Sequence, residues 1–134
     1  MAKLQTMLVV DDSRLQRVIL NGIFKDSFRI VEASSGEECL EILAREGEKI
    51  DIILLDLVMP GMDGFEVLTR KRESPVFGKI PVIVLTMSEE EKDRARAFSL
   101  GAVEFLSKPV DPEAARLCVR RVLQTAAGAS LPWE

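Results

Sequence analysis

The sequence predicts a doubly wound α/β sandwich, and three observations lead there. Five short, mostly apolar runs of strand length recur along the chain, most of them rich in Val, Ile and Leu. Strands that read this way are buried on both faces, which is the mark of a parallel sheet. Each run is followed by a segment of helical period that opens on a capping residue, so strand and helix alternate as βαβ units do.

The strands are expected over residues 7–10, 29–33, 52–55, 81–85 and 104–106. The helices between them announce their starts. Ser13 with Gln16, Ser34 with Glu37, Asp63 with Glu66, and Ser88 with Glu91 have the spacing of a capping box, in which the first side chain takes a free amide of the opening turn. Asp111 before Pro112 places a good cap ahead of a proline suited to the first helical position. Leu15, Val18, Ile19, Gly22 and Ile23 share one face of the first helix, which is expected to pack inward. Ala115, Cys118, Val119 and Val122 do the same for the last. The stretch from Thr125 to Glu134 is small and polar apart from Leu131 and Trp133, and reads as a tail or the start of a linker.

Bulk properties narrow the function. With 134 residues the chain is one domain's worth, and 47% hydrophobic against 30% charged residues describes a globular protein rather than a disordered one. No apolar run has the length of a membrane helix and no signal-peptide pattern opens the chain, so a cytoplasmic location is expected. A net charge of −4 argues against nucleic-acid binding. Histidine is absent, which removes Ser-His-Asp and Cys-His catalysis and histidine metal sites. Cys39 and Cys118 read as buried small hydrophobes rather than a disulfide or metal pair. Glu89–Glu91 and Arg70–Arg72 read as a solvated helix start and a solvated helix end that suit the macrodipole.

In a doubly wound sheet, ligands bind at the carboxyl ends of the strands. Asp11 and Asp12 fall there after the first strand, Asp56 after the third, Thr86 after the fourth and Lys108 after the fifth. Three crowded carboxylates repel one another and call for a cation, and an all-oxygen set suits a hard one such as magnesium. A lysine and a hydroxyl opposite that ion complete a clamp on a phosphoryl group. A carboxylate within the clamp can attack phosphorus and become an acyl phosphate. The set therefore points to metal-assisted phosphoryl transfer onto an aspartate. Each residue alone is an ordinary cap, turn or loop residue; the conjunction at one end of four strands is what carries the reading.

Four blocks then resemble the signatures of response-regulator receiver domains of two-component systems: Val9-Val10-Asp11-Asp12-Ser13, Asp56 to Gly64, Pro81 to Thr86, and Leu106-Ser107-Lys108-Pro109. The resemblance covers residues 5 to 124, with residues 1–125 as the domain and 126–134 beyond it. It implies a flavodoxin-like (βα)5 fold with strand order 2-1-3-4-5. It implies Asp56 as phosphoacceptor, and magnesium held by Asp12, Asp56 and the Val58 backbone carbonyl, with Asp11 acting through water. Lys108 would bridge Asp56 and the phosphoryl group, and Thr86 and Phe105 would form the switch. The implied phosphodonor is a sensor histidine kinase or a histidine phosphotransfer protein. The output domain or target stays open, and a homodimer through helix 4, strand 5 and helix 5 would pair Arg120 or Arg121 with Glu104 or Asp93.

This sequence departs from the family pattern at Val58, Met87, Phe105 and Val110, where receivers often carry polar, small, tyrosine and phenylalanine residues respectively. Two other readings compete with this one. An aspartyl-phosphate phosphatase would need an Asp-x-Asp motif after an early strand, whereas Asp11 and Asp12 are adjacent. A degenerate receiver serving only as a binding module is disfavoured by the intact set Asp11, Asp12, Asp56, Thr86 and Lys108.

Overall fold

The computed structural model describes residues 4–126. Elements alternate throughout: β1 (Gln5–Val10), α1 (Arg14–Phe24), β2 (Phe28–Ala33), α2 (Gly36–Glu46), β3 (Ile52–Leu55), α3 (Gly64–Arg72), β4 (Val82–Thr86), α4 (Glu91–Ser99), β5 (Glu104–Ser107) and α5 (Pro112–Ala126). A short 3-10 turn, Gly47–Lys49, links α2 to β3. All pairings are parallel and the order is β2-β1-β3-β4-β5, as the resemblance implied.

The apolar runs divide their side chains between two cores. Leu8, Val10, Ile53, Leu55, Val82 and Val84 pack with Cys39, Ile42 and Leu43 of α2, Val67 and Leu68 of α3 and Ala97 of α4. Met7, Val9, Ile52, Leu54, Ile83 and Leu85 face the other way, onto Leu20 and Phe24 of α1 and Ala115, Cys118, Val119 and Val122 of α5. Successive strand residues point to opposite faces, so every residue of β3 and β4 is buried and an unbroken apolar run is what the position demands. Truncating one of these, such as Ile53→Ala, costs about 2–5 kcal/mol. Both cysteines are buried and unbonded, as their sequence setting suggested.

Several local expectations need correction. The strands run slightly longer than their apolar cores: β1 starts at Gln5, β2 at Phe28, β5 ends at Ser107, and β4 is shifted by one to end on Thr86 itself. The cap of α2 is Ser35, whose hydroxyl accepts the Glu38 amide at 3.0 Å, while the Glu38 carboxylate turns back to the Ser34 amide at 2.6 Å. Two serines in succession left the register ambiguous. Helix α4 is not capped by Ser88, since its N-cap is Glu90 without a side-chain bond. Ser13, Asp63 and Asp111 do cap, onto the amides of Gln16, Glu66 and Ala114.

The inward face of α1 is also different. Leu15, Val18, Ile19 and Gly22 lie exposed, and Leu20 and Phe24 turn to the sheet with Ile23 half-buried. This helix is apolar on two sides, and Phe24 is fixed inward partly by its edge-on contact with Phe28 at 5.8 Å. Lys71, read as solvated, is 5% exposed. Residues 127–134, expected to be a tail or linker, lie outside the described residues. No helix among the described residues is long and apolar enough to cross a membrane.

Candidate functional site

The carboxyl ends of β1, β3, β4 and β5 bring the five expected residues to one pole. Asp11 follows β1 directly, and its amide donates to the Ala33 carbonyl at 3.1 Å, which continues the β1–β2 ladder by one step. Asp56 follows β3 and its amide donates to the Val10 carbonyl at 3.0 Å. The Lys108 amide donates to the Thr86 carbonyl at 3.0 Å. The sheet's own hydrogen bonds thus set the backbone of each functional residue.

Behind Asp56 the loop is pressed against α3. A Cβ on Gly64 would stand 2.5 Å from the Asp56 carbonyl oxygen and 2.7 Å from the Leu57 Cα, so only glycine lets the start of α3 approach the loop this closely. Gly61 in the same loop has φ +72, a conformation that side chains with a Cβ disfavour.

Asp11 is 2% and Asp56 7% exposed, whereas Asp12 is exposed. One oxygen from each of the three lies within 4.8 Å of the others. The Lys108 ammonium sits 2.5 Å from Asp11 Oδ2 and 3.4 Å from Asp56 Oδ2. It therefore leans toward Asp11 rather than toward Asp56, where its bridging role was expected. Ser13 donates its amide to Asp11 Oδ1 at 2.9 Å. Asp56 Oδ1 receives only the Val58 amide, at a long 3.4 Å. Burial raises the Asp56 carboxyl above the ordinary aspartate value; Lys108 opposes this and Asp11 adds to it. A carboxylate held this way is poorly solvated and poorly neutralised, and it gains from a nearby cation.

Thr86 is fully buried, and its Oγ1 accepts the Ser88 amide at 3.3 Å. Phe105 lies with its ring inward in the core between the sheet and α4. Val58 and Met87 are 69% and 76% exposed. Arg121 pairs with Glu104 of its own chain at 2.9 Å and Asp93 accepts the Ser88 hydroxyl, so neither acid waits for a second copy. Sequence reasoning missed Arg17, which donates to the Asp11 carbonyl at 2.6 Å and to Glu32 Oε1 at 2.9 Å. Nothing in the spacing of Arg17 and Glu32 signals that contact.

A family model described as the response regulator receiver domain matches residues 7–120. The chain is a response regulator receiver domain. This receiver domain is 37% identical over 116 residues to the two-component response regulator ORR5 of rice, covering 85% of this chain and 86% of that protein. It is 42% identical over 105 residues to a probable cyclic di-GMP phosphodiesterase of Vibrio cholerae, covering 78% of this chain but 23% of that protein. Among solved structures, the chemotaxis protein CheY4 of Vibrio cholerae superposes with a TM-score of 0.83 at 27% identity, covering 90% of this chain and 99% of that one. As a receiver domain it is a phosphoacceptor module of two-component signalling.

Proposed function

We propose that Asp56 is the phosphoacceptor of this receiver domain and that the domain works as a switch, turning over phosphate only on itself. The supporting observation is the setting of Asp56: a buried carboxylate, under-solvated, between the Asp11–Asp12 pair and Lys108. An Asp56 carboxylate oxygen attacks phosphorus of a phosphohistidine on a sensor kinase or phosphotransfer protein. The phosphorus–nitrogen bond breaks and the histidine nitrogen takes back a proton. Lys108, already between two carboxylates, moves its charge toward the new phosphoryl oxygens, and the Thr86 hydroxyl turns to donate to one of them.

The donor set fits magnesium. Three clustered carboxylates with no nitrogen or sulfur ligand suit a hard cation, and Asp12, Asp56 and the Val58 carbonyl would hold it, with Asp11 acting through water. When bound, the ion supplies charge neutralisation for the carboxylate cluster and for the phosphoryl oxygens. We place the protein in the cytoplasm, where its phosphodonor and ion are available. Residues 127–134 are taken as tail or linker, and capture with the phosphorylated form identifies the output partner. A homodimer would use the exposed apolar residues Phe98, Val103 and Leu117 around β5, α4 and α5, with Arg120 of α5 beside them.

The deciding test is labelling by acetyl phosphate with magnesium, read by intact mass. Wild type and Asp51→Asn should each gain one phosphoryl group, because Asp51 sits at the other end of β3, bound to the Thr6 amide. Asp56→Asn should gain none. Stoichiometric labelling of Asp56→Asn would overturn the assignment.

A further inference from the structure

The buried ammonium of Lys71 has no part in phosphoryl transfer. Lys71 is 5% exposed. An ammonium carries three donors, and the hydrogen bond this one makes among the described residues goes to the Gly78 carbonyl at 2.8 Å. No carboxylate among the described residues pairs with it. Cys39 of α2 senses the charge, but burial pushes its thiol up to about 12, so it stays neutral and supplies no counter-charge. Two donors of a desolvated cation are thus left without a protein acceptor, an arrangement that costs stability unless something else meets them.

Lys71 borders a hollow of about 450 Å³ at the pole away from Asp56. That is the size of an ordinary small-molecule site. The walls are apolar where β4 and β5 begin, at Ile80, Pro81 and Val103, and at Val122 of α5. The charges are Lys71, Lys79 and Arg121 against Glu104. Glu104 is already paired with Arg121 at 2.9 Å, which leaves Lys71 and Lys79 uncompensated among the described residues. This local excess of cations stands in a chain of net charge −4. The neighbouring hollow beside Phe24 and Phe28 also has cations, Arg116 and Arg120, but both are exposed and water already meets them.

We propose that the hollow beside Lys71 is a binding site for a small organic carboxylate with an apolar body, and that the Lys71 ammonium is its counter-ion. The carboxylate accepts the two unspent donors while the third stays on Gly78. Lys79 adds charge at the rim, and the apolar body lies on Ile80, Pro81 and Val103. Burial lowers the Lys71 pKa to about 8, and a bound anion opposes that shift, so carboxylate and proton bind together. The site does not depend on which aspartate accepts phosphate.

The test titrates the full chain with 4-phenylbutyrate and with its neutral amide, 4-phenylbutyramide, by calorimetry and by backbone amide shifts. The acid should bind about tenfold more tightly than the amide, the worth of a charge-assisted hydrogen bond, and should shift the amides of Gly78, Gly101 and Val103. Its affinity should fall about tenfold from pH 7 to pH 9, as the free protein loses the Lys71 proton. Lys71→Met should abolish both the preference for the acid and the pH dependence, while the amide still binds. Lys79→Gln, at an exposed position, should weaken the acid and keep the pH dependence. The proposal is overturned if wild type binds neither probe or binds both equally, if the shifts gather around Phe28 and Arg116 instead, or if Lys71→Met keeps the preference.

Discussion

Asp56 is stabilised by the fold less than its charge requires. Its carboxyl is raised by burial, so the folded state holds the proton more tightly than the unfolded chain does. For such a group the sign is fixed: its charge costs stability at every pH above the folded value, and the cost fades as pH falls toward the unfolded value near 4. Asp56→Asn should therefore raise the thermal midpoint at pH 7 by a few degrees in chelator, and should lose the stabilisation that magnesium gives wild type. A lower midpoint in chelator would show that Lys108 outweighs the burial. The other residue-scale prediction concerns lifetime. Val58 offers no hydrogen bond to orient an attacking water, and Met87 is a long side chain beside Thr86. Val58→Asn and Met87→Ala should each speed decay of the acyl phosphate in excess magnesium. Equal or slower decay in both would place that control elsewhere. The acceptor set could be read from sequence because each residue sits at a strand end, which topology alone brings together. Arg17 could not, because its contacts depend on which distant group a flexible side chain reaches.

Among the elements, the strands were legible and the helix faces only partly so. A strand buried on both faces is apolar along its length, as β3 is throughout and β4 is up to the site residue Thr86. A helix apolar on two sides, such as α1, satisfies more than one packing, and its period alone does not choose. The outcome has a use: Leu15, Val18 and Ile19 form an exposed apolar stripe that begins three residues after Asp12. Such a patch marks a contact surface, and a phosphodonor protein must bring its histidine to this pole. Val18→Asp should slow transfer from that protein about tenfold or more, while labelling by acetyl phosphate stays unchanged. Equal slowing of both would mean that the change damages the site itself. Helix α3 carries the opposite surprise in Lys71, whose ammonium donates to the Gly78 carbonyl at 2.8 Å and whose pKa is lowered to about 8 by burial. The unfolded chain binds this proton more tightly, so stability should rise between about pH 8 and the ordinary lysine value of 10.5. Lys71→Met should flatten that rise. An unchanged pH profile would show the ammonium to be better solvated than its burial implies.

At the scale of the whole molecule, strand order and site follow from one arrangement. Parallel strands all end at one pole, and Asp11, Asp12, Asp56, Thr86 and Lys108 gather there. The opposite pole is built from loops and helix ends, and its character was not readable in advance, because it depends on how α1, β2 and α5 happen to close. There a cavity of about 490 Å³ is lined by Gln5 of β1 together with Phe24, Phe28, Arg116, Leu123 and Gln124. The first strand and the last helix thus border the same hollow, on the side of the sheet away from Asp56. A domain whose first strand opens beside its last helix can be spliced into another chain as a single plug, with the reactive end left facing outward. This chain covers 86% of one relative and 23% of another. The same proximity allows Gln5 and Gln124 to be bridged and the chain reopened within a remote loop, with every strand neighbour preserved.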